Sequence, residues 1–423
     1  MSDQPSQVDF SSTTERVLSI DVFRGLTMLV MIFANNLDMA GIREVPNWLK
    51  HAVYAIPTIP ADKVDHITFV DVIAPAFLFI VGAAIPLAHR ARQQRGETVA
   101  GFLLHVVIRA AGLMIMGVYI GNMRSKNVCP EVVSHATWSV LMLLSLTMVW
   151  NSYPKAAGWR RGLFVAMRVA GLGVLIWLAV IYHRQDNDRL LAFNHRAWHV
   201  VGTIGWTYLV ASLVYVVFRR QMAGVAACVG LLVLLWMADK GGALNRVYVL
   251  TVIDRYISLG SLIGANGAIA VAGVLVGMLF ADDSPARSHG RRIRWILAMG
   301  MIAFLAGLML QPIYGLSKPR TTPSWIFYSV TICCVSYVLL YWLIDARGRR
   351  RWTWFALPAG RNPLVAYFLH YLIHPLSIVL GIVWLNDHLN VGWPGIARTL
   401  GVTVVLGVLL TEVLTRLKVR VRL

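Results

Sequence analysis

The chain has 423 residues, of which 57% are hydrophobic and only 14% are charged, with 39 Lys and Arg against 20 Asp and Glu. Soluble domains are close to half apolar and about a quarter charged, so this composition excludes an ordinary soluble enzyme and a disordered chain. A formal charge of +19 indicates nucleic-acid binding only when it lies on a solvated face. Here the basic residues form short clusters between apolar runs, so the lipid bilayer, and not nucleic acid, is the predicted environment.

Twelve apolar runs divide the sequence. A hydrocarbon core of about 30 Å needs roughly 20 apolar residues per helix, and the runs cover residues 18–40, 68–88, 101–123, 136–151, 162–182, 198–218, 222–238, 262–280, 293–314, 324–344, 363–384 and 395–415. The fourth and seventh runs are short, so the predicted fold is an all-α polytopic membrane helix bundle with about 11–12 spans. Its predicted parts are a tail at 1–17, one transmembrane domain at 18–415 and a basic tail at 416–423.

The distribution of basic residues predicts the orientation. With a cytoplasmic N-terminus, 21 Lys and Arg lie in segments on the cytoplasmic side and 13 on the other side, as the positive-inside rule requires. Residues 1–17 include Asp3, Asp9 and Glu15 and do not open with the basic stretch of a signal peptide. Both termini are therefore predicted to be cytoplasmic.

Polar residues lie at both ends of the first run, where ionisable groups are costly and often functional. Asp21 and Arg24 are three residues apart and share one helical face. They form either an interfacial salt bridge or part of a binding site. Asn35, Asn36 and Asp38 follow at the other end of the run. Asn35 is the best candidate there for orienting a carbonyl or an amine.

Two histidines and a carboxylate lie around the start of the second run. Asp71 is either a charge at a helix N-terminus or a proton acceptor. His51 and His66 precede it in the 41–67 loop. Each of these histidines is either a solvated side chain or a general base or covalent acyl carrier.

Further polar residues lie in the eleventh run and directly before it. His370 and His374 are four apart on one helical face, but two histidines without a third ligand are a weak zinc signal. A packed polar face is the preferred interpretation, and no metal is predicted. Asn362 follows Pro358 and Gly360, where the chain breaks before a helix. Irregular backbone at membrane depth usually lines a cavity, which favours a ligand role for Asn362.

Five sequence blocks, in a fixed order, connect these residues to a known family. They are RVLSIDVFRGLTMLVMIFANN at 16–36, WLKHA at 48–52, TFVDVIAPAFLFIVGAAIPLA at 68–88, WHVVGTIGWTYLVAS at 198–212 and GRNPLVAY at 360–367. The blocks resemble the transmembrane acyltransferases related to heparan-α-glucosaminide N-acetyltransferase, and the last two resemble its bacterial branch. The resemblance covers most of the chain and is strongest in the first 90 residues.

The resemblance implies a catalytic set. His51 matches the catalytic histidine of the family by its KHA context, and Asn35 matches the asparagine that helps to place the acetyl group or the acceptor. Asp71 matches a recurring polar position and would orient the histidine. The segment between the KHA and TFVD blocks is longer here than in the animal enzymes.

The resemblance also implies acetyl-CoA as co-substrate and an amino sugar as acceptor. The candidate contacts to the coenzyme are Asp21, Arg24, Arg109 and Asn362. The candidate contacts to the acceptor are Trp48, Asn36, Asp38 and His66.

The expected activity is transfer of acetyl from cytoplasmic acetyl-CoA to a glucosamine-type amino sugar on the periplasmic side of a bacterial inner membrane. A homodimer is one assembly that the resemblance suggests. Two alternatives stay open, which are a transporter of sugars or amino sugars and an O-acetyltransferase of a cell-envelope glycan. Release of free CoA distinguishes an acyltransferase from a transporter.

Overall fold

The protein is described by a computed structural model over residues 17–39, 46–55, 60, 63–123, 132–155, 157–182, 198–281, 284, 286, 288–382 and 392–421. Within these residues the fold is all-α, and the single β-type contact is an isolated antiparallel bridge between Asn151 and Val421. Ten helices are long and apolar enough to cross a membrane, and two apolar helices are shorter. The predicted polytopic helix bundle is confirmed. Nearly all of the predicted tail at 1–17 lies outside the described residues.

We number along the chain the twelve helices that cover the predicted apolar runs, and leave unnumbered the shorter helices Ala52–Ala55, Tyr248–Tyr256, Leu357–Arg361 and Thr411–Arg416. The numbered helices are α1 Leu18–Met39, α2 Ile73–Gln93, α3 Val99–Met123, α4 His135–Trp150, α5 Trp159–Val180, α6 His199–Phe218, α7 Met222–Lys240, α8 Asn266–Met278, α9 His289–Tyr314, α10 Pro323–Tyr341, α11 Pro363–Val379 and α12 Gly392–Thr403. A 3-10 turn, Phe69–Val72, leads into α2. Segments of π-helix extend α8 at its start, Leu259–Ala265, and α12 at its end, Val404–Leu410.

Each helix corresponds to one predicted run. The two shorter helices are α4 and α11, so the fourth run is short as expected. The seventh run is long enough to span, because α7 covers 19 residues. Helix α11 ends at Val379, and the end of its predicted run, from residue 383, lies outside the described residues.

Helices α2 and α8 form the centre of the bundle. Nearly every residue of α8 from Gly267 to Met278 is buried. The two backbones approach closely at Gly82 of α2 and Gly273 of α8, because a Cβ at either position would overlap a backbone carbonyl of the other helix. Small residues at a crossing point are the usual way in which membrane helices pack, since lipid supplies no hydrophobic force between them.

Helices α5, α7 and α9 lie at the periphery and turn apolar side chains outward. Val169, Leu231 and Met309, one on each helix, are more than 60% exposed. Helices that are apolar on their outer face are expected where lipid, and not water, is the solvent. The exposed apolar surface therefore indicates a bilayer environment.

The bundle has two distinct ends. Because successive helices alternate in direction, α1, α9 and α11 finish at the end where α2, α6 and α10 begin. We call this the site end. At the opposite end, the backbone N–H groups of Leu18 and Ser19 donate to the Asp345 carboxylate, which ties the start of α1 to the chain that follows α10.

Substituting Gly82 by Ala is expected to destabilise the bundle by about 1–3 kcal/mol, the usual cost of overpacking. The new methyl group would overlap the Ala270 carbonyl of α8. Thermal unfolding in detergent measures the change. The control is Gly173→Ala on α5, where a Cβ meets no atom within 4 Å and helix propensity rises. Equal melting temperatures for the two variants would contradict close packing of α2 on α8.

Candidate active site

Three charged or titratable side chains meet at the site end. His51 Nδ1 lies 2.8 Å from Asp71 Oδ1, and Lys318 Nζ lies 3.2 Å from the same oxygen. Lys318 Nζ is also 3.0 Å from His51 Nδ1. His51 and Asp71 lie on the connection between α1 and α2, and Lys318 lies on the connection between α9 and α10, so the fold assembles a His–Asp–Lys cluster from two distant parts of the sequence.

Local structure fixes the carboxylate at the centre of this cluster. Thr68 is the N-cap of the turn that starts at Phe69, and Asp71 is its third residue, so the two form a reciprocal capping box. Asp71 Oδ2 accepts hydrogen bonds from the backbone N–H groups of Ala52, at 3.0 Å, and Thr68, at 3.1 Å. Asp71 is only 1% exposed. Asp71 thus caps a helix start and also contacts a histidine, and its role as a proton acceptor stays a prediction.

The contacts define the tautomer of His51. An ionised carboxylate can only accept hydrogen bonds, so a ring nitrogen 2.8 Å from Asp71 Oδ1 is assigned as the donor, Nδ1–H. Lys318 is also only a donor, so its ammonium must direct its proton to Asp71 and not to Nδ1. In this tautomer Nε2 carries the lone pair. The histidine therefore has the orientation that a base or a nucleophile needs.

Lys318 reaches the cluster on the connection between α9 and α10. This connection is fixed to the loop before α2, because Asp65 accepts a hydrogen bond from the Leu316 N–H and pairs with Arg320 at 3.2 Å. Sequence reasoning missed Lys318, which it counted only as a basic residue of a loop. No spacing signal could have found it, since it is 267 positions from His51.

A small cavity of about 150 Å³ adjoins His51. Its polar lining residues are Asn35, His51, His199, Lys318, Tyr367 and Tyr371. The structure therefore brings together Asn35 and His51 as predicted, with Asp71 directly behind the histidine. Pockets for whole drug-sized ligands measure about 300–1,000 Å³. This cavity has room only for the reacting end of a substrate.

The wall of the cavity away from Asp71 is a hydroxyl–imidazole network. His199 Nδ1 lies 3.3 Å from the Tyr367 hydroxyl, and His199 Nε2 lies 3.1 Å from the Tyr371 hydroxyl. His199 has a backbone φ of 49°, which is uncommon for a residue with a side chain. Strain of this kind is often found at functional sites.

Sequence reasoning did not single out this network. His199 and Tyr367 nevertheless lie inside the WHVVG and GRNPLVAY blocks. These two residues could therefore have been identified as site candidates from the sequence of the two blocks.

The predicted coenzyme contacts lie elsewhere. Arg24 pairs with Asp21 at 3.2 Å and also contacts the Gly360 carbonyl, so the interfacial salt bridge is present. The Asn362 amide donates to Thr415 Oγ1, at 3.1 Å, and to the Val419 carbonyl, at 2.9 Å, and so holds the end of the chain. These groups lie at the opposite end of the bundle.

Arg109 lies apart from them. Its guanidinium stacks over the Tyr208 ring at 5.1 Å, and the residue is exposed. The coenzyme roles of Asp21, Arg24, Arg109 and Asn362 stay predictions.

The predicted acceptor contacts are spread around the site end. Trp48 is 60% exposed, and His66 is half-buried and does not line the cavity. Asn36 Oδ1 lies 3.2 Å from His370 Nδ1, so one of the paired histidines of the eleventh run belongs to a packed polar face. The side chain of Asp38 lies outside the described residues. Over the described part of the chain, no three His, Cys, Asp or Glu residues are grouped so that they could hold a metal.

The fold and the cluster define a class, namely polytopic helical membrane proteins with a His–Asp–Lys cluster around a buried carboxylate at one end. The chain belongs to the family described as a domain of unknown function, DUF5009. The family model matches residues 16–251, which is more than half of this chain. The match includes Asn35, His51, Asp71 and His199 and stops before Lys318. No curated protein matches the chain.

Replacing Asp71 by Asn is expected to lower the free energy of unfolding by about 1.5–3 kcal/mol, the usual value of a hydrogen bond to a charged group. An amide has only one acceptor oxygen. Its NH₂ group would therefore face either the two backbone N–H groups or His51 and Lys318, and these are all donors. Thermal unfolding in detergent measures the loss.

The matched control is Glu412→Gln, which removes an exposed ion pair with Arg416 at 2.8 Å. Such pairs contribute about 0.3–0.5 kcal/mol. A melting temperature for Asp71→Asn as high as that of the control would show that the cluster does not hold the loop in place.

Proposed function

We propose that the protein is a membrane-embedded acyltransferase that moves an acetyl group from acetyl-CoA to an amino sugar, with His51 as general base or acetyl carrier. The observation that supports this proposal most strongly is the His51–Asp71 contact of 2.8 Å at the edge of a small, polar cavity that Asn35 also lines. A carboxylate behind a histidine, with the far ring nitrogen directed to the reactants, is the arrangement that acyl-transfer enzymes of unrelated folds share.

Two routes for the proton and the acetyl group fit this geometry. In the direct route, the acceptor amine attacks the thioester carbonyl, a C–N bond forms and the C–S bond breaks. His51 Nε2 takes the amine proton and returns it to the departing thiolate. In the covalent route, Nε2 attacks the thioester, the C–S bond breaks and CoA leaves as the thiolate. The amine then attacks the acetyl-imidazolium, the bond between the acetyl carbon and Nε2 breaks, and the freed Nε2 takes the amine proton.

Hydrogen-bond donors in the cavity support either route. Negative charge develops on the carbonyl oxygen during attack, and preorganised donors stabilise it most in a site that excludes water. The Asn35 amide and the hydroxyl groups of Tyr367 and Tyr371 line the cavity that His51 adjoins. Lys318 compensates the charge of Asp71 and thereby holds the carboxylate in place, so it is a positioning residue.

The proposed topology follows from the charge distribution. The basic clusters of the sequence fall mainly at the end of the bundle opposite His51, which the positive-inside rule assigns to the cytoplasm. Cytoplasmic acetyl-CoA would bind from that end, with Asp21, Arg24, Arg109 and Asn362 as proposed contacts. The acceptor would reach His51 from the periplasmic side of a bacterial inner membrane, past Trp48, Asn36, Asp38 and His66.

Substitution of His51 by Ala is expected to lower acetyl transfer by about 10²–10⁴-fold, the usual contribution of a general base. The assay incubates purified protein with radiolabelled acetyl-CoA and a panel of amino sugars, and records free CoA and N-acetylated sugar. Mass spectrometry of the His51 peptide separates the covalent route from the direct one.

The control is His105→Ala, since His105 lies on α3 and does not line the cavity. Wild-type rates for His51→Ala would refute the proposed chemistry. Uptake of labelled sugar into vesicles without CoA release would support the transporter, and transfer to hydroxyl groups alone would support the O-acetyltransferase.

Replacing Asn35 by Ala is expected to lower kcat by about 10²–10³-fold with a smaller effect on KM, as loss of one donor to a developing oxyanion does. The same acetyl-transfer assay measures both constants. Asn266→Ala is the control, because the Asn266 amide only donates to the Ser261 carbonyl within its own helical segment. A change in KM alone would place Asn35 in ground-state binding instead.

A further inference from the structure

A second, larger cavity lies beside the His51 site and has no role in the chemistry above. It has a volume of about 540 Å³ and lies between α1, α2 and α10. Most of its lining is aliphatic or aromatic, and includes Leu26, Val30, Val72, Ile332 and Leu339. It extends from Ile67–Phe69 at the site end to Phe23 and Leu340, close to the opposite ends of α1 and α10. We call it the apolar groove.

The apolar groove is open to the surface of the bundle. Three of its lining residues, Phe69, Ile332 and Leu339, are 56%, 42% and 60% exposed. They belong to helices that are long and apolar enough to cross the membrane. The opening therefore faces the hydrocarbon of the bilayer, from which a chain can enter sideways.

The groove has few polar atoms, and two of its hydroxyl groups are hydrogen-bonded to protein backbone. The Thr27 hydroxyl donates to the Phe23 carbonyl at 2.8 Å, and the Thr68 hydroxyl donates to the Lys50 carbonyl at 2.7 Å. The pantetheine arm of a coenzyme carries amide groups, and burial of an amide without hydrogen bonds costs several kcal/mol. A hydrocarbon chain has no such groups, so it is the occupant that the lining favours.

The groove adjoins the reaction site. Ile73 lines both the groove and the small cavity. Thr68 lines the groove, and its hydroxyl also lies 3.1 Å from Asp71 Oδ2. A chain in the groove would thus leave the head of the same molecule at the site end, next to His51.

We propose that the apolar groove binds the hydrocarbon chain of a membrane lipid that carries the acceptor sugar, so that the acceptor is a glycolipid with its amino-sugar head directed to His51. This assignment rests on the proposed function for the identity of the head group. The binding of the chain itself is independent of any chemistry.

Photo-crosslinking tests the binding step without using activity. The protein, in lipid nanodiscs, is irradiated with an alkyl glucosaminide that carries a diazirine in its chain, and labelled peptides are identified by mass spectrometry. The expected labels lie in residues 23–30, 67–76 and 332–340, the lining of the groove. Absence of label there overturns the proposal. Equal labelling by an alkyl diazirine without the sugar would indicate an ordinary lipid site and would also overturn it.

A matched pair of variants on α10 tests the groove itself. Ser336→Trp fills the groove, since Ser336 lines it. Val335→Trp adds the same ring at the preceding residue, which does not line the groove and is 44% exposed. We expect Ser336→Trp to reduce groove labelling at least 10-fold and Val335→Trp to leave it unchanged. Equal labelling of both variants overturns the proposal even if one variant folds poorly, because unfolded protein is removed by size-exclusion chromatography first.

Kinetics separate a failure of this assignment from a failure of the proposed function. In wild type, KM for a dodecyl glucosaminide should be at least 10-fold lower than for methyl glucosaminide. Ser336→Trp should remove this difference, whereas Val335→Trp should keep it. Transfer with equal KM values would refute the glycolipid acceptor alone. Sugar-dependent labelling of the groove without any acetyl transfer would refute the enzyme and retain the lipid site.

Discussion

The carboxylate of Asp71 is the contact on which the site end depends. It is a charge with 1% exposure, and such a charge is stable only when it is paired and hydrogen-bonded. Its two oxygens accept from His51, Lys318 and the backbone of Ala52 and Thr68. One buried group thereby fixes the loop before α2 and the connection between α9 and α10.

Close helix packing supplies the frame for that carboxylate. Glycines at the α2–α8 crossing and at Gly25, which lies against the Ala356 carbonyl, let backbones approach where larger side chains would separate them. The close neighbour of Gly25 is therefore protein backbone. Because α2 packs against α1, α6, α8 and α10, the turn that leads into it and Asp71 have a fixed position. The peripheral helices α5, α7 and α9 instead turn apolar side chains outward.

The sequence predicted the fold well and the site in part, for different physical reasons. Hydropathy over about 20 residues is a local property, so all twelve runs became helices. The proximity of His51, Asn35 and Asp71 was expected from the order of the family blocks. Lys318 and Tyr371 could not be predicted, because their contacts join distant positions that no local pattern connects. The long KHA-to-TFVD segment did not prevent the contact between His51 and Asp71.

Under the proposed function, the two cavities would bind different parts of the reactants, because they differ in polarity and size. A space of about 150 Å³ beside His51 admits a small acyl group and the attacking atom, whereas the apolar groove of about 540 Å³ admits a long chain but offers few hydrogen bonds. A long acyl donor would need the groove for its own tail and would compete there with a lipid-borne acceptor. A short acyl group on the donor and a long chain on the acceptor therefore satisfy both spaces at once.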